Sequence, residues 1–154
     1  INFYQSDVLD KNSIKENSYD IITFCGTLSL FDNVEPVLDN LIYWTNKNGK
    51  VYILTMFNPY DLDIIVRYKK SENYDSDVYE YGWNIISQKS VSKLLEKNKK
   101  VKSFKFHKFN IMTDLEKNKD DAVRSWTEKL ENGEKQIVNG LCLKQPLYVL
   151  EINL

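Results

Sequence analysis

The stretch 19–55 constrains the fold most, because it predicts a strand, a loop, a helix and a second strand in that order. Residues 19–25 (YDIITFC) are an apolar run rich in β-branched and aromatic residues, which predicts a strand buried on both faces. Apolar residues recur at helical spacing over 34–45, and an Asn-rich turn ends that helix. Residues 50–55 (KVYILT) predict a second buried strand. We therefore expect a βαβ unit with parallel strands.

This unit resembles the central part of a class I S-adenosylmethionine-dependent methyltransferase. The run NSYDIITFCGTLSLFDNVEPVLDNLIYWTNKNGKVYILTMFNP has the order typical of that family: an acidic strand start, a cofactor-side loop, a helix, an Asn-Gly turn and a further strand. The resemblance covers the first third of the chain in sequence and the remainder in the order of elements. It implies an α/β Rossmann-like open sheet with parallel core strands, an antiparallel final strand and an inserted β-hairpin.

The remaining elements can be predicted from caps and alternation. Residues 1–4 alternate as a strand does, and Asp32 or Asn33 is placed to cap the first helix. Ser87 is placed to cap a second helix, whose apolar stripe begins at Val91. Residues 101–112 predict a further strand, which contains the single histidine of the chain, His107. The alternatives for this histidine are a general base or a structural or exposed role, and its place inside a strand favours the latter.

The carboxyl-terminal part contains the strongest turn signal. Asn132 and Gly133 separate two alternating runs, 124–130 and 134–138, and Asn-Gly in that position predicts a hairpin. Residues 143–154 predict the final strand. The resemblance implies that this strand is antiparallel and lies between the two strands that precede it.

The resemblance implies a cofactor site in two loops. Asp7 and Val8 match the loop in which the family binds adenine, where a carboxylate accepts from the exocyclic amine and the next backbone N–H donates to the ring. Cys25, Gly26 and Thr27 follow the first buried strand at its carboxyl end, where open α/β sheets bind ligands. The alternatives are that Asp7 and Gly26 are only turn residues, and that Cys25 is an inert core thiol or, less in keeping with its surroundings, a nucleophile.

A third loop, after the second buried strand, is expected to contact the methyl acceptor. Pro59 suits the first turn of a helix, which we expect to continue through 62–69. In the family this segment closes over the acceptor, so the resemblance implies Asn58, Tyr60 and Arg67 as substrate-binding residues. The alternative is that Asn58 is a cap and Arg67 lies on a solvated helix face. Acceptor pockets are expected within 58–84 and 115–140, and no catalytic residue or base is assigned.

Composition excludes several classes of protein. The formal net charge is −1 with acids and bases interspersed, so no nucleic-acid partner is expected. Two separated cysteines in apolar settings make neither a disulfide framework nor a metal site, which favours a reducing cytoplasmic compartment. A metal site on His107 lacks partners. No apolar run is long enough for a membrane span.

We expect 1–154 to be a single domain, the carboxyl-terminal part of a methyltransferase domain with an inserted hairpin near 124–138. The chain begins at Ile1, and the glycine-rich loop that the family uses for the cofactor does not occur in it. The first buried strand would then have a free edge, where the family places another strand.

Two classes of function follow. The first is an enzyme that transfers a methyl group from S-adenosylmethionine to a small-molecule acceptor. The second is a non-catalytic α/β interaction domain that keeps the methyltransferase fold without binding the cofactor. Binding of S-adenosylmethionine by the full-length protein separates the two. The sequence does not identify the acceptor or the oligomeric state.

Overall fold

The computed structural model describes residues 1–154 and contains nine strands and two α-helices. In chain order they are β1 (Tyr19–Cys25), α1 (Glu35–Trp44), β2 (Thr45–Asn58), β3 (Arg67–Tyr68), β4 (Glu80–Tyr81), β5 (Ile86–Ser87), α2 (Gln88–Lys97), β6 (Ser103–Lys108), β7 (Trp126–Lys129), β8 (Lys135–Val138) and β9 (Leu147–Asn153).

The main sheet is open and mixed, with the spatial order β1-β2-β9-β6. β1 is parallel to β2, while β9 is antiparallel to both β2 and β6. β5 extends the sheet by pairing in parallel with the last two residues of β2. Two small ribbons, β3-β4 and β7-β8, lie outside this sheet. The predicted Rossmann-like sheet, its antiparallel final strand and its inserted hairpin are all confirmed.

One hydrophobic cluster holds α1 and α2 against a single face of the sheet. Val51, Ile53 and Phe57 of β2 are 0% exposed and pack with the apolar faces of both helices and with Leu150 and Ile152 of β9. Ser87 caps α2 as predicted, because its hydroxyl accepts the Ser90 N–H. This packing fixes the carboxyl ends of the parallel strands at one edge.

The second face of the sheet carries a charged cluster. Lys50 of β2 and His107 of β6 both reach Glu151 of β9, at 2.8 and 3.2 Å. His107 is exposed, as its place in a strand indicated. The prediction that β1 is buried on both faces is wrong: Ile21 is 62% exposed, because β1 is an edge strand and nothing packs on its second face.

The passage from α1 into β2 differs from the predicted turn. α1 ends at Trp44 and the chain enters β2 directly at Thr45, but residues 46–49 form a bulge against β1, in which Asn48 has φ +69°. Gly49 permits this, since a Cβ there would lie 2.7 Å from the Asp20 carbonyl oxygen of β1. Neither predicted cap occupies the N-cap position, which is Val34, although the Asn33 side chain accepts the Glu35 N–H at 3.0 Å.

Two predicted elements are absent. Residues 1–4 form no strand, and no backbone hydrogen bond involves 1–6, because no partner strand lies beside them. The helix predicted after Pro59 is also wrong. Its backbone groups find distant partners instead, as Ile64 exchanges hydrogen bonds with Ile85 and the Val66 N–H donates to the Asn84 side chain. Long-range pairing therefore overrides the helical spacing.

Candidate functional site

The carboxyl end of β1 opens into an exposed turn formed by Cys25, Gly26 and Thr27. Gly26 has φ +76°, and a Cβ placed on it would meet nothing within 4 Å. Its N–H donates to the Leu54 carbonyl of β2 at 2.7 Å, and the Thr27 hydroxyl donates back to the Cys25 carbonyl at 3.3 Å. The turn is thus fixed on the β2 side and open on the other. Glycine suits it because other residues rarely adopt this φ.

The Asp7 loop presents unused hydrogen-bonding groups. One carboxylate oxygen of Asp7 accepts the Leu9 N–H at 2.9 Å, while the other oxygen has no partner in the chain. The Val8 N–H is likewise unpaired, although the Val8 carbonyl accepts from Asn40 of α1 at 2.9 Å. No hydrogen bond joins this loop to the Gly26 turn. Asp7 is therefore a turn residue that keeps a free acceptor next to a free donor.

Asn58 and Tyr60 lie together at the carboxyl end of β2. The Asn58 side chain accepts the Tyr60 N–H at 3.1 Å and donates to the Leu62 carbonyl at 2.7 Å. Asn58 is 7% exposed and its amide holds the tight turn that replaces the predicted helix. Tyr60 is 74% exposed, so its ring and hydroxyl are free.

Arg67 lies apart from Asn58 and Tyr60 and joins a network that the sequence did not reveal. Its guanidinium pairs with Asp32 and stacks 4.0 Å from the centre of the Tyr81 ring. Asp32 also accepts from the Asn84 side chain at 2.9 Å. Asn84 is 1% exposed and donates to the Phe31 carbonyl at 3.1 Å. This latch, formed by Asp32, Arg67 and Asn84, ties the loop after β1 to the segment 64–85.

The latch makes part of the stability depend on pH. The hydrogen bonds from Arg67 and then Asn84 hold the pKa of Asp32 below its ordinary value of 3.8. Because the pKa of Asp32 is lower in the folded protein than in the unfolded chain, its ionised side chain stabilises the fold at pH values above the unfolded-state pKa. This stabilisation is lost as the pH falls through the folded-state pKa. We expect the stability difference between wild type and Asp32→Asn to shrink as pH falls from about 5 to about 2. Urea unfolding at several pH values measures it. A difference that stays constant contradicts the pairing.

A cleft of about 730 Å³ lies beyond the carboxyl end of β2. Four segments line this hairpin cleft, together with Ile64, Ile85 and Leu130: the turn 58–60, the segment 108–112 at the end of β6, the hairpin residues 133–137, and the segment 144–148 that leads into β9. The hairpin is fixed there because the Gln145 N–H donates to the Ile137 carbonyl at 2.8 Å. Of the predicted acceptor contacts, Asn58 and Tyr60 line the cleft and Arg67 does not.

The structure brings together neither a Cys–His pair nor a cluster of metal-ligating side chains. Cys25 and Cys142 are free and exposed, which corrects their expected apolar settings. Cys25 ends β1 and His107 lies on β6, at opposite edges of the main sheet. Three strand spacings separate them by about 14 Å, too far for a Cys–His pair. No group of three or more His, Cys, Asp or Glu residues could hold a metal ion. Neither helix is long and apolar enough to cross a bilayer.

Comparison with solved structures identifies the fold. No protein-family model and no curated protein sequence matches the chain. The structure is similar to an S-adenosylmethionine-dependent methyltransferase from Methanosarcina mazei, with TM-score 0.53 and 9% identity over 96% of this chain and 64% of that one. The chain has the class I methyltransferase fold. In that fold the sheet observed here, with an antiparallel strand between two parallel ones, is the expected carboxyl-terminal arrangement.

Two further structures agree in fold. A methyltransferase from Archaeoglobus fulgidus that depends on the same cofactor has TM-score 0.53 and 13% identity, over 98% of this chain and 66% of that one. The YcgJ protein of Bacillus subtilis has TM-score 0.53 and 9% identity, over 97% of this chain and 70% of that one. The chain therefore spans about two thirds of the length of these methyltransferase-fold proteins.

Proposed function

We propose that this chain belongs to a protein that transfers a methyl group from S-adenosylmethionine to a small-molecule acceptor. One observation carries the proposal: the Gly26 turn is open, exposed and at the carboxyl end of β1, in a sheet with the methyltransferase fold. Open α/β sheets bind their ligands at that edge. The hairpin cleft lies at the same edge, beyond β2, and offers a separate space for the acceptor.

The residues present fit the cofactor. The unpaired Asp7 oxygen is an acceptor for the adenine amine, and the unpaired Val8 N–H is a donor for a ring nitrogen. Cys25, Gly26 and Thr27 would contact the cofactor through their backbone, because the open space over Gly26 admits close approach. We infer that these five residues form this chain's share of the cofactor site.

Methyl transfer mainly requires that the protein position the acceptor. When bound, S-adenosylmethionine would supply an electrophilic methyl carbon for the acceptor. The chain's own part is to hold the acceptor in line and to exclude water. We assign Asn58 to fixing the turn that ends β2 and Tyr60 to contacting the acceptor. Arg67 acts through the latch, where it positions the loop after β1.

Binding of S-adenosylmethionine tests the proposal. Calorimetric titration of the full-length gene product is expected to show micromolar affinity for the wild type. Asp7→Ala is expected to weaken that affinity by about tenfold, because it removes a charge-assisted hydrogen bond to the adenine. Asp10→Ala is the matched control. Asp10 lies in the same loop, is exposed and accepts the Asn12 N–H at 3.0 Å, but is assigned no contact with the cofactor.

The outcomes are distinct. Full affinity in Asp10→Ala with a loss in Asp7→Ala supports the assignment. An equal loss of affinity in both variants, at unchanged thermal midpoints, would mean that the loop conformation matters for binding and that Asp7 makes no specific contact with the adenine. No binding by the wild type contradicts the proposal.

A second candidate is a non-catalytic interaction domain, and the free edge of β1 favours it. Tyr19 and Ile21 are 45% and 62% exposed beside an apolar groove that includes Phe24 and Trp44. An exposed apolar edge strand is a template for pairing with another strand. Within the methyltransferase proposal the same edge supports a further reading, that 1–154 form the carboxyl-terminal part of a domain completed by another strand. Two exposed free cysteines are consistent with a cytoplasmic protein.

A further inference from the structure

The hairpin cleft has more cationic than anionic side chains, although the chain has a formal net charge of −1. Lys108, Lys135 and Lys144 line it against one acid, Glu134. Lys135 is neutralised by Asp114, whose carboxylate lies 2.6 Å away. Lys108 and Lys144 form no salt bridge with any carboxylate. Two of the lysines that line the cleft, both exposed, thus have no carboxylate partner within the chain.

A buried amide adds an unused donor to these cations. Gln145 is 8% exposed and lines the cleft, and its side-chain oxygen accepts from the Ser125 hydroxyl at 2.7 Å. The side-chain NH₂ group makes no hydrogen bond. Only the Thr55 hydroxyl is both fully inaccessible and unpaired, so the Gln145 nitrogen retains some accessible surface. A buried amide pays a desolvation penalty unless something accepts its hydrogens, and here a ligand could do so.

The walls between these polar groups are apolar. Ile85, Ile111 and Ile137 line the cleft, with Pro146 and the ring of Tyr148 on the side of β9. A cleft of about 730 Å³ is the size of a small-molecule site. Apolar walls with a few convergent donors are the usual composition of such sites.

We propose that the hairpin cleft binds a small organic acid with an apolar body. The lysine ammonium groups and the Gln145 amide bind the carboxylate, and the isoleucines bind the body. The assignment of this acid as the methyl acceptor rests on the proposed function.

The probe is 2-naphthoate, compared with its neutral analogue 2-naphthamide. Calorimetric titration of the full-length gene product is expected to give at least about tenfold tighter binding of 2-naphthoate. The double variant Lys108→Met and Lys144→Met is expected to lose about tenfold in affinity for 2-naphthoate and nothing for 2-naphthamide. Raising the salt concentration should weaken 2-naphthoate binding alone.

Lys99→Met is the matched control. Lys99 is exposed, forms no salt bridge and precedes the amino end of β6, whereas Lys108 lies at its carboxyl end. Equal binding of acid and amide, or no binding of 2-naphthoate, overturns the proposal. So does an equal loss of affinity in Lys99→Met.

Failure of this inference and failure of the proposed function can be told apart. If 2-naphthoate binds through the two lysines and S-adenosylmethionine does not bind, the acid site stands and methyl transfer falls. If S-adenosylmethionine binds and 2-naphthoate does not, methyl transfer stands and the acid site is overturned.

Discussion

Replacing Phe57 by alanine is expected to lower the free energy of unfolding by about 4 kcal/mol. Phe57 is 0% exposed, belongs to the central cluster, and its ring meets that of Phe106 edge to face at 5.1 Å. Its loss leaves a cavity under the end of β2, where β5 and the cleft both begin. Urea denaturation measures the change.

Two control variants show whether the loss of stability comes from the buried ring of Phe57. Phe3→Ala removes a ring that is 90% exposed, and we expect it to change stability by less than about 0.5 kcal/mol. Phe57→Leu keeps most of the volume and should cost much less than the alanine variant, which covers the case in which alanine prevents folding. A loss under about 1 kcal/mol for Phe57→Ala would mean that the end of β2 is not packed as described.

Asn84→Leu is expected to cost about 3 kcal/mol, because it breaks the latch from its buried centre. The Val66 N–H would lose its acceptor at 2.9 Å, and Asp32 would lose a donor. A buried group that is left unpaired carries the full desolvation penalty, whereas the new leucine gains little in a site shaped for an amide. Urea denaturation again gives the value.

The matched control for the latch is Asn73→Leu. Asn73 is exposed and its side chain makes no hydrogen bond, so the expected change is below about 0.5 kcal/mol. If the two leucine variants are equally stable, the Asn84 network does not hold the loop after β1. In that case Arg67 would have to be reconsidered as a residue that contacts the acceptor directly.

The sequence predicts the elements whose signal is local. β1, α1, α2 and the β7-β8 hairpin carry their own periodicity, caps and turn residues, so each is found where its pattern lies. Ser87 and Asn132-Gly133 are clear examples, since cap and turn chemistry act over two or three residues. The antiparallel place of β9 came from the family resemblance, since no local pattern specifies it.

The sequence failed where distant partners decide the structure. The spacing after Pro59 is helical, yet Asn84 takes the Val66 N–H and Ile85 pairs with Ile64, eighteen and twenty-one residues away along the chain. Burial of Asn84 could not be inferred because Asn is mostly a surface residue. β2 begins earlier than predicted, through a bulge at Asn48 in which Gly49 packs against Asp20, a contact that depends on β1.

Only part of the candidate site was within reach of the sequence. The Gly26 turn and the pair Asn58 and Tyr60 follow strand ends, and topology places strand ends at one edge. The hairpin cleft combines segments around 58, 110, 135 and 145. Bringing these together requires the order of β2, β9 and β6, so Lys108, Lys144 and Gln145 carried no signal in sequence.

In the proposed function, the loops at the carboxyl end of β1 receive the methyl donor. Amide chemical shifts of the ¹⁵N-labelled full-length gene product, recorded with and without S-adenosylhomocysteine, test it most directly. We predict shifts at Val8, Gly26 and Thr27, with the Lys99 signal unchanged. Shifts confined to the hairpin cleft, or no shifts at saturating ligand, would contradict it.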